Sequence, residues 1–256
     1  MLENTFQEGN SFIHHSDPRI RLLSGFAIAF AIALLKTLEA SFAAFLVSVF
    51  FIFISSLALK KVVKTLLFAN LFIGFLWLFV PFSVSGDTVF HIWRWAVTYE
   101  GIKLALLITL KCNAILMVII TFIATIPVPI MGYALSSLGL PDKFILILLM
   151  SYRYVHVIFD EYNRLVQALK IRCFKPGTNL HTYKTYAYLI AMVFIRSYER
   201  GIRVYQAMVL RGFNGKFHIL KRFHTKRGDI MLLVTMCFLS LILLFLDKGI
   251  VLWHLF

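Results

Sequence analysis

Long apolar runs constrain this chain more than any other feature. The run from Ile20 to Leu59 is interrupted at Lys36-Thr37-Leu38-Glu39. A helix needs roughly 20 predominantly apolar residues to cross a hydrocarbon core about 30 Å thick. The run therefore reads as two spans, 20–36 and 40–59, joined by a tight hairpin. A third span is expected over 65–84. A fourth starts near Gly101 and stops at Pro127-Val128-Pro129, because proline cannot propagate a helix. A fifth runs from Ile230 to Leu246. Of the 256 residues, 60% are hydrophobic and 15% charged, against about 45–50% and 25% in soluble domains. So little charge cannot cover so much apolar side chain in water. A soluble enzyme and a disordered chain are both excluded.

The charge that is present has a pattern. The formal net charge is +14. Arg19 and Arg21 precede the first span, Lys60, Lys61 and Lys64 follow the second, and residues 128–228 hold 16 Lys and Arg against 4 Asp and Glu. On the other side Lys36 is balanced by Glu39, Arg94 by Asp87 and Glu100, and Lys248 by Asp247. Five spans with a cytoplasmic N-terminus put every basic cluster inside, as the positive-inside rule requires. The basic excess is thus mainly topological, and no nucleic-acid reader motif accompanies it. Met1 to Glu8 carries acid where a cleavable signal carries base, so no such signal is expected. The expected fold class is all-α, an integral membrane protein of about five transmembrane helices. Its divisions are a four-span membrane domain over 1–129, a cytoplasmic helical domain over 130–228 and a last transmembrane helix over 229–256.

The middle domain contains two apolar stretches too short for clean spans, Phe144–Met150 continuing past Arg153, and Tyr186–Ile195. If both crossed, Arg164, Lys170, Arg172 and Lys175 would lie outside, against the charge rule. Each instead begins a long helix that starts against the membrane and continues as an amphipathic half. Val155, Phe159, Tyr162, Val166 and Leu169 recur at three- and four-residue steps in the first, as do Tyr198, Ile202, Tyr205 and Met208 or Val209 in the second.

The two helices end alike. Arg164, Gln167-Ala168, Arg172 and Phe174 reappear 39 residues later as Arg203, Gln206-Ala207, Arg211 and Phe213, and Asp160 coincides with Glu199. Two copies are too few for a solenoid and suggest two equivalent contacts with a two-fold or pseudo-two-fold partner. Arg172 and Arg211 fall in the last turn, where the helix dipole favours a cation. Gly212 suits the left-handed position that ends a helix. Ala168 and Ala207, one turn back on the same face, leave room for a partner surface, against which a planar guanidinium can grip a carboxylate bidentately.

The stretch Arg196-Ser197-Tyr198-Glu199-Arg200-Gly201-Ile202-Arg203, with Ala207-Met208-Val209-Leu210-Arg211-Gly212-Phe213, closely resembles the signature of the CbiQ-type transmembrane subunit of energy-coupling-factor transporters. Asp17-Pro18-Arg19, Leu135-Ser136-Ser137-Leu138-Gly139-Leu140-Pro141 and the helix from Arg153-Tyr154 to Arg172 are similar to that family at matching places. The resemblance implies an ABC-type importer in a prokaryotic inner membrane, with cobalt or nickel as cargo, or a vitamin as the nearer alternative. It implies a non-catalytic subunit that links a metal-capturing, substrate-binding membrane protein to two ABC-type ATPase subunits, or a homodimer of one. No cofactor is implied in this chain, since ATP and Mg2+ would sit on the ATPases. The ATPase-coupling residues it implies are Ala168 and Arg172 on the first coupling helix, and Ala207, Arg211 and Gly212 on the second. The first copy departs from the family in having Cys173 where glycine is usual. A Cβ makes the left-handed conformation costly, so this end is expected to fray or to stop differently.

The remaining motifs point less sharply. Gly215-Lys216 lacks the first glycine of a P-loop, that position being Leu210. His14, His15 and Asp17 have metal-ligand character, but read as a polar lead-in to the first span, so no metal site is assigned. His91 beside Phe90 and Trp93 reads as an interface anchor. Lys111 lies mid-span next to Cys112 and Asn113, which leaves open a pathway role, a structural partner or a shifted span boundary. Gly25, Ala29 and Ala33 form a small-residue stripe for close packing with an unidentified neighbour. Cys112, Cys173 and Cys237 have neither disulfide nor zinc spacing. From a different class, a stand-alone membrane enzyme could bind a phosphorylated substrate with the basic helices, although Asp160, Glu161 and Glu199 form no pocket signature there.

Overall fold

A computed structural model describes residues 16–55, 57–84, 88–92, 95–215, 225 and 227–253. Helix α1 (Pro18–Leu34) starts where Asp17 accepts the Arg19 N–H at 3.1 Å and Pro18 takes the first turn. After the turn at Lys36-Thr37 come α2 (Leu38–Ile54) and α3 (Leu59–Ser83). An antiparallel hairpin, β1 (Thr88–Ile92) and β2 (Trp95–Thr98), leads into α4 (Tyr99–Ile119), which continues as a π-helical segment over Ile120–Ala124. Helices α5 (Val128–Ser137), α6 (Asp142–Ile171) and α7 (Leu180–Leu210) follow, and α8 (Arg227–Trp253) closes the chain. The fold is that of an all-α membrane protein with one short hairpin added. That hairpin and α5 were not anticipated.

The chain divides into two compact units, one holding α1–α4 and α8, the other α5–α7. In the first, Ile28 and Ile32 of α1, Ala44 of α2, Ala114 and Phe122 of the fourth span, and Met236 of α8 share one core. Ala44 and Ala114 let the helices approach around these larger side chains, while many phenylalanines point out. Phe26, Phe30, Phe50, Phe53, Phe68, Phe72, Phe238 and Phe245 are each 61 to 81% exposed. A surface so rich in phenylalanine suits lipid and not water.

Among the described residues three helices are long and apolar enough to cross a membrane, Leu59–Ser83, Tyr99–Ala124 and Arg227–Gly249. Helices α1 and α2 have 17 residues each, or about 25 Å of rise, the lower limit for a span. Their turn is held from another helix. One Asp247 oxygen, Oδ1, accepts the N–H groups of Lys36 and Thr37 and the Thr37 hydroxyl, all at 2.8 Å. Lys111 donates to the Ala33 carbonyl at 3.2 Å, at the other end of the same turn. It therefore has a structural partner where α1 ends.

The small-residue stripe finds neighbours inside the chain at Gly25 and at Ala29, the latter half-buried against the core. A Cβ on Gly25 would stand 3.0 Å from the Phe122 Cβ, so the π-helical segment lies directly on α1 there. Ala33, two turns on, is exposed. The contact is reinforced by Arg21, only 2% exposed, which donates to the Thr125 hydroxyl. Read from sequence only as one of two basic residues before the first span, Arg21 is thus taken into the interior. Between α3 and α4, Asn70 and Asn113 exchange two side-chain hydrogen bonds of 2.9 Å, and the Trp77 indole N–H donates to Thr109.

In the second unit, α5 packs closely on α6, since a Cβ on Gly132 would meet Leu149 at 2.9 Å. Helices α6 and α7 have 30 and 31 residues, so each is about 45 Å long.

Candidate functional site

The repeated helix ends share one backbone geometry. At the end of α6 the Cys173 N–H donates to the Lys170 carbonyl at 3.0 Å and the Phe174 N–H to Leu169 at 3.1 Å. At the end of α7 the Gly212 N–H donates to Val209 at 2.9 Å and the Phe213 N–H to Met208 at 3.0 Å. Each pair is a Schellman closure, which satisfies two carbonyls that a helix end otherwise leaves open. It requires a left-handed residue at the same place, and the φ angles are 58° at Cys173 and 80° at Gly212. The expectation that the first end would fray or stop differently is therefore corrected. Cys173 takes the glycine's conformation despite its Cβ. Phe174 gives the physical reason, because its ring lies 6.2 Å from His181 and 6.0 Å from Tyr186 at the start of α7, anchoring the chain just beyond the turn.

Arg172 and Arg211 are the capping residues of these ends, with nearly equal backbone angles of −79°, 18° and −91°, 13°. Ala168, Arg172, Ala207, Arg211 and Gly212 are all exposed. Each tip thus presents a guanidinium at the negative end of a long helix dipole, on a rigid turn, beside an alanine that offers little steric bulk. Such a tip can receive a carboxylate or a carbonyl rim from another surface. The tips differ in their surroundings. Ala168 and Arg172 border a groove of about 480 Å³ with Tyr188, Met192 and Arg196. At the other tip it is Met208 and Phe213 that border a groove of about 390 Å³, with Tyr154 and Ile158.

The two helices meet through a residue that the repeat did not single out. Asp160 and Glu199, the acids that coincide in the repeat, do not make this contact, as Asp160 is exposed and Glu199 pairs with Arg203 on its own helix, 3.8 Å away. Glu161 is the acid turned inward, its side chain 9% exposed. It accepts a hydrogen bond from Arg196 and has Arg200 at 3.7 Å and Arg164 at 3.9 Å. The Arg196 hydrogen bond, joined by the charges of Arg196, Arg164 and Arg200, holds its carboxyl below the usual carboxylate range. The signal was available in the spacing, since Ile158, Glu161, Leu165, Ala168 and Arg172 lie on one helical face. The apolar stripes read from periodicity coincide with this face only in part, since Val166, Leu169 and Met208 are half-buried and Leu169 and Met208 line the grooves. Val155, Phe159, Tyr162, Tyr198, Ile202, Tyr205 and Val209 are exposed.

The other sequence motifs are placed as follows. Asp17 caps α1 and also accepts the Thr225 hydroxyl at 3.1 Å, which gives it a structural role. His14 and His15 lie outside the described residues, as does the side chain of His91, a residue of β1. Cys112, Cys173 and Cys237 are free thiols.

Comparison with known proteins gives concordant matches. The family model CbiQ, described as cobalt transport protein, matches residues 9–220. The energy-coupling factor transporter transmembrane protein EcfT of Ruminiclostridium cellulolyticum is 24% identical over 258 residues, covering 92% of this chain and 93% of its own length. EcfT of Lactobacillus helveticus is 27% identical over 224 residues, covering 81% and 79%. A Methanocaldococcus jannaschii protein, named only as uncharacterized, is 26% identical over 211 residues, covering 77% and 70%.

Proposed function

The chain belongs to the CbiQ family, and from that premise we propose that it is the non-catalytic transmembrane coupling subunit of an energy-coupling-factor importer. The observation that carries this reading is the duplicated tip. Two helices, each about 45 Å long, end in the same closed turn with an exposed arginine, 39 residues apart in sequence. A pair of equal tips suits a pair of equal docking surfaces, which two ABC-type ATPase subunits supply. ATP and Mg2+ bind on those partners. When the ATPase pair closes, tips seated in it are driven relative to each other, and stiff helices carry the displacement to the membrane unit. A separate substrate-binding membrane subunit, packed on the apolar spans, is then reoriented and releases its cargo.

The cargo favoured is cobalt or nickel, in keeping with the family's description; a vitamin importer would use the same machinery. The charge distribution supports a cell-membrane protein whose N-terminus and coupling helices face the cytoplasm. A membrane enzyme is disfavoured because the inward acid of the basic helices, Glu161, is already engaged by arginine. The test is purification of the tagged chain from its native membranes in mild detergent. Two ATPase subunits and a membrane partner should come with it, and elemental analysis of that complex reads the metal. A chain that purifies without an ATPase, or moves solute alone in vesicles, overturns the reading.

A further inference from the structure

Glu161 is placed to do more than hold two helices together. Arg196 and Arg200 are four residues apart on α7 and therefore stack on one face, about 6 Å apart along the axis. Arg196 donates to one carboxylate oxygen of Glu161, Oε1. The other oxygen, Oε2, has Arg200 Nη2 at 3.7 Å. The acid thus faces two cationic stations on one helix, the first engaged and the second just short of engagement. The surroundings leave room for movement. Grooves of about 390 and 480 Å³ border the contact, one lined by Ile158 and Arg200, the other by Leu165 and Arg196. At Gly201, beside Arg200, nothing stands within 4 Å of where a Cβ would be. The second station, not the engaged one, sits at matched distances from the two tips, since Arg172 lies 11 residues beyond Glu161 and Arg211 lies 11 residues beyond Arg200 but 15 beyond Arg196. That is about 16 Å of helix on each arm.

We propose that Glu161 is a positioning residue for coupling, a carboxylate that ties α6 to α7 and passes from Arg196 to Arg200 as the arginine tips move. The proposal rests on the coupling role stated above. A shift of one helical turn, the step by which packed helices change between discrete arrangements, exchanges one arginine for the other. A buried carboxylate left without a cation in mid-travel would be strongly disfavoured, so the helices occupy two positions instead of sliding freely. Arg164, on the same helix as Glu161, travels with it and keeps part of the compensation throughout.

The experiment uses the assembled complex with its ATPases in lipid nanodiscs. Spin labels at positions 171 and 210, which carry the exposed and repeat-matched Ile171 and Leu210, replace the native cysteines as labelling sites. The distance between them is read by pulsed electron resonance without nucleotide and with trapped ATP·Mg2+. In the otherwise wild-type chain the distance should change by several ångströms, up to about 6 Å. Arg200→Gln keeps the Arg196 contact, so it should fold, retain its ATPases and show the same resting distance. Its response to ATP should fall by more than half, and Arg200→Lys should restore it. A full response in Arg200→Gln, or a loss that lysine does not repair, overturns the role of Glu161 while leaving the coupling function intact. A wild-type distance that ignores ATP overturns the coupling reading and this proposal with it.

Discussion

Cys173 and Gly212 occupy the same left-handed backbone position at the ends of two successive helices, with φ of 58° and 80°. Only one of them is suited to it by its side chain. For an L residue the left-handed conformation costs about 1–2 kcal/mol. At Cys173 the cost is offset by two closing hydrogen bonds and by the Phe174 ring packed near His181 and Tyr186. The geometry of the tip has thus been kept without its glycine, which places the requirement on the shape of the turn more than on the residue within it.

Cys173→Gly should tighten the first tip. Relief of the Cβ is worth about 1 kcal/mol, and hydrogen exchange at the amides of residues 173 and 174 should slow roughly fivefold. A β-branched residue fits this region worse than cysteine, so Cys173→Val should speed the same exchange. Unchanged protection in both variants would show that the turn is not limited by this residue.

At the foot of α1 the buried Arg21 depends on the Thr125 hydroxyl, whereas Thr125 itself also donates to the Thr121 carbonyl at 2.9 Å. Removing the hydroxyl strands part of a guanidinium, while removing the guanidinium strands nothing. Thr125→Val should therefore lower stability by about 1–3 kcal/mol, and Arg21→Met by less. Thermal unfolding in detergent, followed by tryptophan fluorescence, ranks the two. The reverse order would contradict the assignment.

Two membrane glycines should respond oppositely to alanine. At Gly25 the new methyl would press on Phe122 at 3.0 Å, and overpacking of this kind costs about 1–3 kcal/mol. At Gly74 there is open space, and alanine should be neutral or stabilising by about 0.5–1 kcal/mol. The same unfolding measurement separates them, and equal effects would mean that Gly25 does not set the approach of α1 to the π-helical segment.

The five apolar helices were legible in the sequence because hydropathy is a local property, and the tips because a duplicated motif identifies itself. The parts not legible depend on rotation and depth. Counting three- and four-residue steps placed Val155 and Phe159 on a stripe, yet the contact face of α6 runs through Glu161 and Leu165, and charge counting cannot distinguish Glu161 from its neighbour Asp160. Arg21 and Arg19 look equivalent as basic residues before a span, but only the contact with Thr125, 104 residues away, takes Arg21 into the interior. The turn at Cys173 was misjudged because a penalty intrinsic to the residue was weighed without the anchor that Phe174 supplies.

The most direct test is the amount of ATPase pair recovered with the chain from membranes when the tip arginines are removed. Arg211→Ala should insert and accumulate like the wild type but retain at least tenfold less ATPase, with uptake lost in parallel, a drop of about 1.4 kcal/mol or more in binding. Arg172→Ala should show the same direction of effect, since its tip has the same geometry. Full ATPase recovery and full uptake in a chain lacking both arginines would contradict the account.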